Sequence, residues 1–407
     1  MNLINDFKNS NWQIWYPRES ISPKFRKMEM NKDVQLVIAS SGSFNNFGKW
    51  LCYVNGIQGR ESYEFSVEYY PDNIKSENES IFAILSWMDI EGNMLQRDYA
   101  DDGLNLEDGW KCFHRMIEAP PEACQLKVEL GLRLSENGVV YWRKPAVIKG
   151  QPVLHRKVKV ATTYIEPRGN FKANMEAMAD IVEKAGKTGA DIVCLTETFY
   201  DYSVELPLVQ RCRPIPCELT EAISDKAKKY GTYVIFTMNE KDGEDIYNTA
   251  VLIGRKGELI GKYRKIHLPL FEGESGVTPG NEYGIFETDF GRIGIMVCWD
   301  QVFPEVARAL SLKGAELIFL PTMGNELLQQ RARAKDNGIP VIIAGTDGLE
   351  SSRIINSFGE VIGTSKEGID GVYVTEIDLD QKYYTYWLSV GPSNGEPRSL
   401  YKKERRL

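Results

Sequence analysis

Hydrophobic and polar positions alternate with a period of two in the first 150 residues, which is the pattern of half-buried β-strands. The clearest runs pass through Tyr63, Phe65, Val67 and Tyr69, and through Leu126, Val128, Leu130, Leu132 and Leu134. Polar breaks separate these runs, and the sequence shows no amphipathic helical pattern of several turns between them. The N-terminal part therefore predicts an all-β sandwich of the jelly-roll type.

After His155 the pattern changes to strands that alternate with helices. Residues 158–165 form a strand pattern, and the helix pattern that follows repeats its hydrophobic residues every three to four positions. These residues are Phe171, Met175, Met178, Val182 and Ala185. The alternation continues to residues 341–345, so the second part predicts an α/β layered domain, with Gln151 and Pro152 as the linker.

The chain length supports this division. The 407 residues exceed the roughly 250–300 residues that one hydrophobic core organises. We predict a first domain at residues 1–150, a second domain at residues 157–401 and a short tail at residues 402–407.

Charge and hydropathy narrow the choice of partners and compartment. The formal net charge is −8, which is the wrong sign for wrapping nucleic acid or anionic lipid, so we expect a small-molecule partner instead. Residues 1–17 are too polar for a secretory signal, and no run approaches the ~18 apolar residues of a membrane span. We expect a cytoplasmic protein whose seven cysteines are reduced thiols.

The sequence gives no sign of a metal or cofactor site. Its three histidines, His114, His155 and His267, lack the spacing of metal ligands. No glycine-rich phosphate loop of Walker or Rossmann spacing follows a strand. We therefore expect neither a metal nor a cofactor.

Three strand ends carry residues that could perform chemistry. Cys298 ends an apolar strand just before a helix start, a position that favours a thiolate and predicts a lowered pKa. Glu197 ends a second strand, and Lys265 ends a third. Taken alone, Cys298 could be a core cysteine, Glu197 a solvated turn residue and Lys265 part of a charged strand edge. Together they offer a nucleophile, a base and a cation at matching ends of one sheet.

The segments around these residues resemble the Glu-Lys-Cys signature of the nitrilase (carbon–nitrogen hydrolase) superfamily. They are residues 196–197 (Thr-Glu), 263–269 (Tyr-Arg-Lys-Ile-His-Leu-Pro) and 297–300 (Val-Cys-Trp-Asp). Further similar segments are residues 248–250, 278–280, 303–305, 331–334, 356–359 and 396–401. The resemblance covers residues 157 to about 401 and implies a four-layer α-β-β-α sandwich.

The resemblance also implies a role for each residue of the triad. Cys298 would be the nucleophile that becomes an acyl-enzyme, Glu197 the general base and acid, and Lys265 the cation beside the developing oxyanion. The backbone N–H of Trp299 would be a second oxyanion donor. The family often carries a second glutamate, for which Glu274 matches the usual placement before Pro279 better than Glu272 does.

Substrate contacts are assigned to Trp299, Phe199 and Thr322. Residues 323–330 form a shorter segment than relatives usually have there, so the pocket is expected to be wider or closed by another element. Residues 298–301 resemble the version in N-carbamoyl-polyamine amidases, but Val302 replaces an aromatic residue, so only the reaction class carries over. We expect hydrolysis of a linear amide or N-carbamoyl compound and favour it over a nitrile.

The first 150 residues hold six of the eight tryptophans and resemble carbohydrate-binding-module-like jelly rolls. Exposed rings could stack on a glycan, although filling of the sandwich core is the favoured explanation. The domain could instead cover the catalytic pocket or brace a dimer. A homodimer is implied by the resemblance, with residues 387–407 crossing to the partner. The rival hypothesis is an inactive scaffold that binds a glycan or a protein.

Overall fold

A computed structural model of the chain describes residues 2–4, 7, 11–30, 33–100, 103–152 and 154–380. The chain divides after Leu154 into two compact units. The predicted end of the catalytic domain at residue 401, its segment 396–401, the tail 402–407 and the proposed dimer-crossing segment 387–407 lie outside the described residues.

The N-terminal unit is built from antiparallel strands, as the two-residue alternation predicts. In chain order these are β1 (Gln13–Trp15), β2 (Lys24–Met30), β3 (Asp33–Ala39), β4 (Phe47–Asn55), β5 (Ser62–Asp72), β6 (Ile81–Met88), β7 (Met94–Ala100), β8 (Gly103–Asn105), β9 (Lys111–Glu118), β10 (Gln125–Arg133) and β11 (Val139–Lys149). One short helix, α1 (Glu77–Ser80), precedes β6. The strands form two sheets, in the orders β1-β4-β10-β6-β7 and β2-β3-β11-β5-β9-β8.

The alternating residues of the N-terminal unit fill one core between its two sheets. Both runs identified in the sequence are buried there, apart from Leu134, which follows the end of β10 in a left-handed conformation at φ 47°. The buried tryptophans are Trp12, Trp50, Trp87 and Trp142. The all-β fold is thus confirmed, and core filling explains most of the tryptophans; the jelly-roll connectivity stays a prediction.

The second unit alternates strands and helices. Its strands are β12 (Lys157–Thr163), β13 (Ile192–Cys194), β14 (Tyr233–Asp242), β15 (Asp245–Ile253), β16 (Leu259–Arg264), β17 (Ile285–Glu287), β18 (Arg292–Ile295), β19 (Leu317–Pro321), β20 (Val341–Ala344), β21 (Arg353–Ile355), β22 (Val361–Thr364) and β23 (Val372–Asp378). Its helices are α2 (Phe171–Lys187), α3 (Leu208–Arg211), α4 (Glu218–Tyr230), α5 (Leu270–Glu274), α6 (Pro304–Leu312) and α7 (Leu327–Asn337).

These elements form the predicted four layers. The sheets have the orders β16-β15-β14-β13-β12-β23 and β17-β18-β19-β20-β21-β22, and one apolar cluster with residues from both lies between them. A second cluster packs α2 and α4 on the first sheet, and a third packs α6 and α7 on the second. The fold is therefore an α-β-β-α sandwich, and each sheet has a run of parallel strands whose carboxyl ends are the expected place for a site.

Local sequence explains why α2 begins where it does. Asn170 caps its first turn by accepting a hydrogen bond from the N–H of Ala173 at 2.9 Å. The face through Met178, Ile181 and Val182 is buried against the first sheet. No helix in the described part of the chain is both long and apolar enough to cross a membrane.

Candidate active site

Two of the three strand ends turn sharply at the point where chemistry is expected. Thr198, directly after Glu197, has a φ of 42°, and Cys298 itself has a φ of 45°. Left-handed backbone is costly for residues with a side chain and persists only where the surrounding structure holds it. Thr198 lies four residues after the end of β13 and Cys298 three residues after the end of β18, whereas Lys265 follows the last residue of β16 directly.

Glu197 is held by donors on both of its carboxylate oxygens. Its Oε1 accepts from Nζ of Lys265 at 3.1 Å and from Nδ2 of Asn248 at 2.8 Å. Its Oε2 accepts from the backbone N–H of Met323 at 2.9 Å. The side chain is buried, so these bonds replace water and fix the direction of the carboxylate.

Lys265 lies between two carboxylates in a buried position. Besides Glu197, its Nζ donates to Oε1 of Glu272 at 2.7 Å. Burial alone lowers the pKa of Lys265, but the charges of Glu197 and Glu272 outweigh it and raise the pKa above its ordinary value. The amine is therefore an ammonium at neutral pH. Two of its three N–H donors are used, which leaves one for a substrate oxygen.

Cys298 completes the group, because its thiol lies close enough to Glu197 for the carboxylate to change the pKa of the thiol. Burial, followed by the charge of Glu197, raises the pKa of Cys298 to about 12, although Lys265 acts in the opposite direction. The lowered pKa expected from the sequence is therefore wrong. The helix after the cysteine is a single 3₁₀ turn, Cys298–Val302, whose dipole is too short to offset burial beside a carboxylate. The resting thiol is protonated, and Glu197 is placed to take its proton.

The turn at Cys298 also presents a backbone donor. The first bond of the 3₁₀ turn runs from the N–H of Asp300 to the carbonyl of Val297. The N–H of Trp299 precedes that bond and has no acceptor within the turn. It lies next to the thiol, where an oxyanion hole needs a donor.

The second glutamate beside Lys265 is Glu272, and the assignment to Glu274 is corrected. Both lie in the short helix α5, where two positions correspond to a rotation of about 200° around the axis. Glu272 therefore turns inward, whereas Glu274 points to solvent. Burial raises the pKa of Glu272, and the charges of Glu197 and Asp300 add to this effect, although Lys265 acts in the opposite direction.

Two of the three assigned substrate contacts are also corrected. Phe199 is fully buried in the cluster beneath α2 and α4, because the left-handed turn at Thr198 directs it away from the site. Thr322 is fully buried, and its hydroxyl oxygen accepts from the N–H of Gly324 at 2.9 Å, so it shapes the turn after β19. Trp299 is 39% exposed beside Cys298, and its role as a substrate contact stays a prediction.

Sequence reasoning gave no role to Asn248 and Met323, which both donate to Glu197. Asn248 lies within β15, in the segment 248–250 that resembles the family. The N–H of Met323 reaches Glu197 because of the short turn after β19, and no side-chain pattern could reveal a backbone contact. Across the part of the chain that the structure describes, no group of three or more His, Cys, Asp or Glu side chains could hold a metal ion.

Comparison with known proteins identifies the family of the chain. The carbon-nitrogen hydrolase family matches residues 159–384, and the chain belongs to that family and is a carbon–nitrogen hydrolase. A nitrilase from Pyrococcus abyssi is 34% identical over 54% of this chain and 90% of its own length. An omega-amidase from Xenopus tropicalis is 32% identical over 52% and 84%, and an N-carbamoylputrescine amidase from Arabidopsis thaliana is 28% identical over 55% and 88%.

Solved structures of similar proteins cover a similar share of the chain. The structure of Saccharomyces cerevisiae Nit3, a member of branch 10 of the nitrilase superfamily, is 26% identical, covers 55% of this chain and 90% of its own, and has a TM-score of 0.49. A carbon-nitrogen hydrolase from Helicobacter pylori G27 is also 26% identical, covers 56% and 90%, and has a TM-score of 0.48.

Proposed function

We propose that the protein hydrolyses a linear primary amide or an N-carbamoyl compound through a covalent intermediate on Cys298 and releases ammonia or an amine. The observation that carries this proposal is the convergence of three groups. Glu197 accepts from the ammonium of Lys265 within a buried site, and it lies close enough to Cys298 to change the pKa of the thiol. Among the similar proteins, the names omega-amidase and N-carbamoylputrescine amidase support the same class of substrate.

The first half of the reaction forms the acyl-enzyme. Glu197 accepts the thiol proton while the sulfur of Cys298 bonds to the substrate carbonyl carbon, and the carbonyl electron pair moves to oxygen. The remaining N–H of Lys265 and the N–H of Trp299 donate to that oxyanion. Glu197 then gives its proton to the leaving nitrogen, the C–N bond breaks, and ammonia or an amine departs from a thioester.

The second half restores the enzyme with the same groups. Glu197 accepts a proton from water as the water oxygen bonds to the thioester carbon. The C–S bond then breaks, the acid departs, and the proton returns to the sulfur of Cys298. One carboxylate serves both halves, which requires the fixed orientation that its three donors provide.

Glu272 supports an amide over a nitrile. Its Oε1 bonds to Lys265, and its Oε2 is buried and has no hydrogen-bond partner among the described residues. A buried carboxylate oxygen without a donor is costly, and a substrate –NH₂ group can supply one. A nitrile nitrogen carries no hydrogen and cannot satisfy this oxygen.

Ammonia release from a panel of linear amides, N-carbamoyl compounds and nitriles tests the proposal. We expect turnover of at least one amide or N-carbamoyl compound and loss of all turnover in Cys298→Ala. Equal ammonia release by the wild-type protein and Cys298→Ala would reject the thiol mechanism. Turnover restricted to nitriles would reject the substrate class.

A glycan partner for the N-terminal unit is a separate proposal that rests on Trp15 and Trp110. Both are only partly buried, and each already carries a cation on its ring: Lys49 lies 4.3 Å from the Trp15 centroid and Arg143 3.7 Å from that of Trp110. Affinity electrophoresis against a polysaccharide panel tests it. Retardation of the wild-type protein but not of Trp15→Ala or Trp110→Ala supports it, and equal migration in every gel rejects it.

A further inference from the structure

Asp300 is a fully buried carboxylate two residues after the nucleophile. Its Oδ2 accepts from the backbone N–H of Val297 at 2.9 Å and from the hydroxyl of Tyr263 at 2.8 Å. Its Oδ1 accepts from the backbone N–H of His267 at 3.0 Å and contacts Nδ1 of the same histidine at 2.9 Å. Four hydrogen bonds therefore meet at one side chain.

The partners of Asp300 flank both groups that the reaction needs. Tyr263 lies two residues before Lys265, and His267 lies two residues after it, so Asp300 holds both ends of the segment that presents the ammonium. Val297 directly precedes Cys298, so the same carboxylate holds the turn that presents the thiol.

We propose that Asp300 is the positioning residue that sets the distance between Cys298 and Lys265, with His267 as its second anchor. This inference rests on the proposed function, because it concerns the same reaction. An error of about 1 Å in the placement of reacting groups costs roughly 100-fold in rate. Asp300 contacts neither substrate nor thiol in this account, and it acts through the two segments that it joins.

An independent contact keeps the far side of the turn folded when Asp300 is changed. The guanidinium of Arg333 donates to the carbonyl of Gln301 at 2.9 Å and to that of Val302 at 3.0 Å. Because α7 holds the turn in this way, replacement of Asp300 should shift the nucleophile more than it unfolds the domain.

Asp300→Asn is the main variant, because the amide has nearly the same shape but only one acceptor oxygen. Its one acceptor oxygen can keep the pair of bonds to Val297 and Tyr263 or the pair to His267, but not both pairs. We expect kcat to fall by about 100-fold with KM within about threefold, since the loss affects the transition state and not substrate binding. We also expect iodoacetamide to alkylate Cys298 about tenfold more slowly, because a displaced ammonium favours the thiolate less.

Two further variants separate positioning from folding. His267→Phe keeps an aromatic ring to stack on Phe303, which lies 4.1 Å from the histidine ring, but removes the Nδ1 donor. His267→Asn restores a donor near that position, so it should recover most of the kcat that His267→Phe loses. Leu310→Ala opens a cavity in the cluster beneath α6 and α7; it should lower the melting temperature but leave kcat within about twofold.

Either of two results would overturn the proposal. The first is an Asp300→Asn protein with wild-type kcat and wild-type alkylation of Cys298. The second is a loss of kcat in Leu310→Ala as large as that in Asp300→Asn at an equal fall in melting temperature. If the wild-type protein hydrolyses no substrate of the panel, the proposed function fails, and the alkylation rates alone decide the role of Asp300.

Discussion

The backbone N–H of Met323 donates to Oε2 of Glu197 at 2.9 Å and ties the turn after β19 to the general base. The other oxygen of this carboxylate accepts from Lys265 and Asn248. The short segment after β19 thus contributes directly to the site. Three donors from separate parts of the domain fix the direction of one side chain, and the predictions below test what each contact does.

Asn248→Ala should lower kcat by about 10- to 100-fold, because a hydrogen bond to a charged group contributes about 1.5–3 kcal/mol. Asn239 is its cross-strand neighbour and gives a matched control, since it donates to Asp201 instead. Asn239→Ala should reduce stability and leave kcat within about twofold. Steady-state kinetics and melting curves check both variants, and equal losses of kcat would contradict the role of Asn248.

Glu272→Gln should lower kcat/KM by about 10- to 100-fold, because it removes a carboxylate that lies 2.7 Å from Lys265. Glu274→Gln, in the same short helix but exposed, should remain within about twofold of wild type. Kinetics on the best substrate of the panel measure both. The reverse order of effects would restore Glu274 as the second glutamate.

Glu272 and Glu274 show what the sequence could and could not predict. The sequence could place Glu197, Lys265 and Cys298 within three residues of a strand end. The expectation that they share one sheet is wrong, because Glu197 and Lys265 follow strands of the first sheet, whereas Cys298 follows a strand of the second. The choice between Glu272 and Glu274 could not be predicted, because it depends on the rotation of a single helical turn.

Backbone direction and burial explain why the predictions for Phe199 and for the pKa of Cys298 were wrong. Phe199 follows a left-handed residue, and a hydrophobic pattern does not reveal which way the chain then turns. The pKa of Cys298 depends on burial and on a neighbouring carboxylate that is distant in sequence. The four-layer fold was predictable because many residues repeat the hydrophobic pattern of alternating strands and helices. The direction of Phe199 and the pKa of Cys298 each depend on only one or two contacts.

Stability of the catalytic unit should fall as the pH rises above about 9, partly because of Cys298. The unfolded thiol ionises near its ordinary pKa of 9.0, whereas the folded thiol keeps its proton up to about pH 12. Between about pH 9 and 12 the folded state therefore binds one more proton than the unfolded state. Each unit of pH in this range lowers the free energy of unfolding by at most about 1.4 kcal/mol through Cys298. Denaturant titrations of wild type and Cys298→Ser should give a shallower pH slope for the serine variant. Parallel slopes would contradict the raised pKa.

Trp299→Ala should raise KM by about 5- to 10-fold and leave kcat within about threefold, if the exposed ring contacts bound substrate equally in the ground and transition states. Phe44→Ala removes an exposed ring from the N-terminal unit and serves as the control with unchanged KM. Initial rates over a range of substrate concentrations separate the two constants. An unchanged KM in Trp299→Ala would remove this residue from the substrate contacts.

The most direct test is the mass of the protein after rapid mixing with a turned-over amide or N-carbamoyl compound and quenching in acid. We predict an adduct equal to the substrate minus ammonia or amine, mapped by peptide analysis to Cys298 and absent from Cys298→Ala. An adduct on another residue, or turnover that persists in Cys298→Ala, would contradict the account.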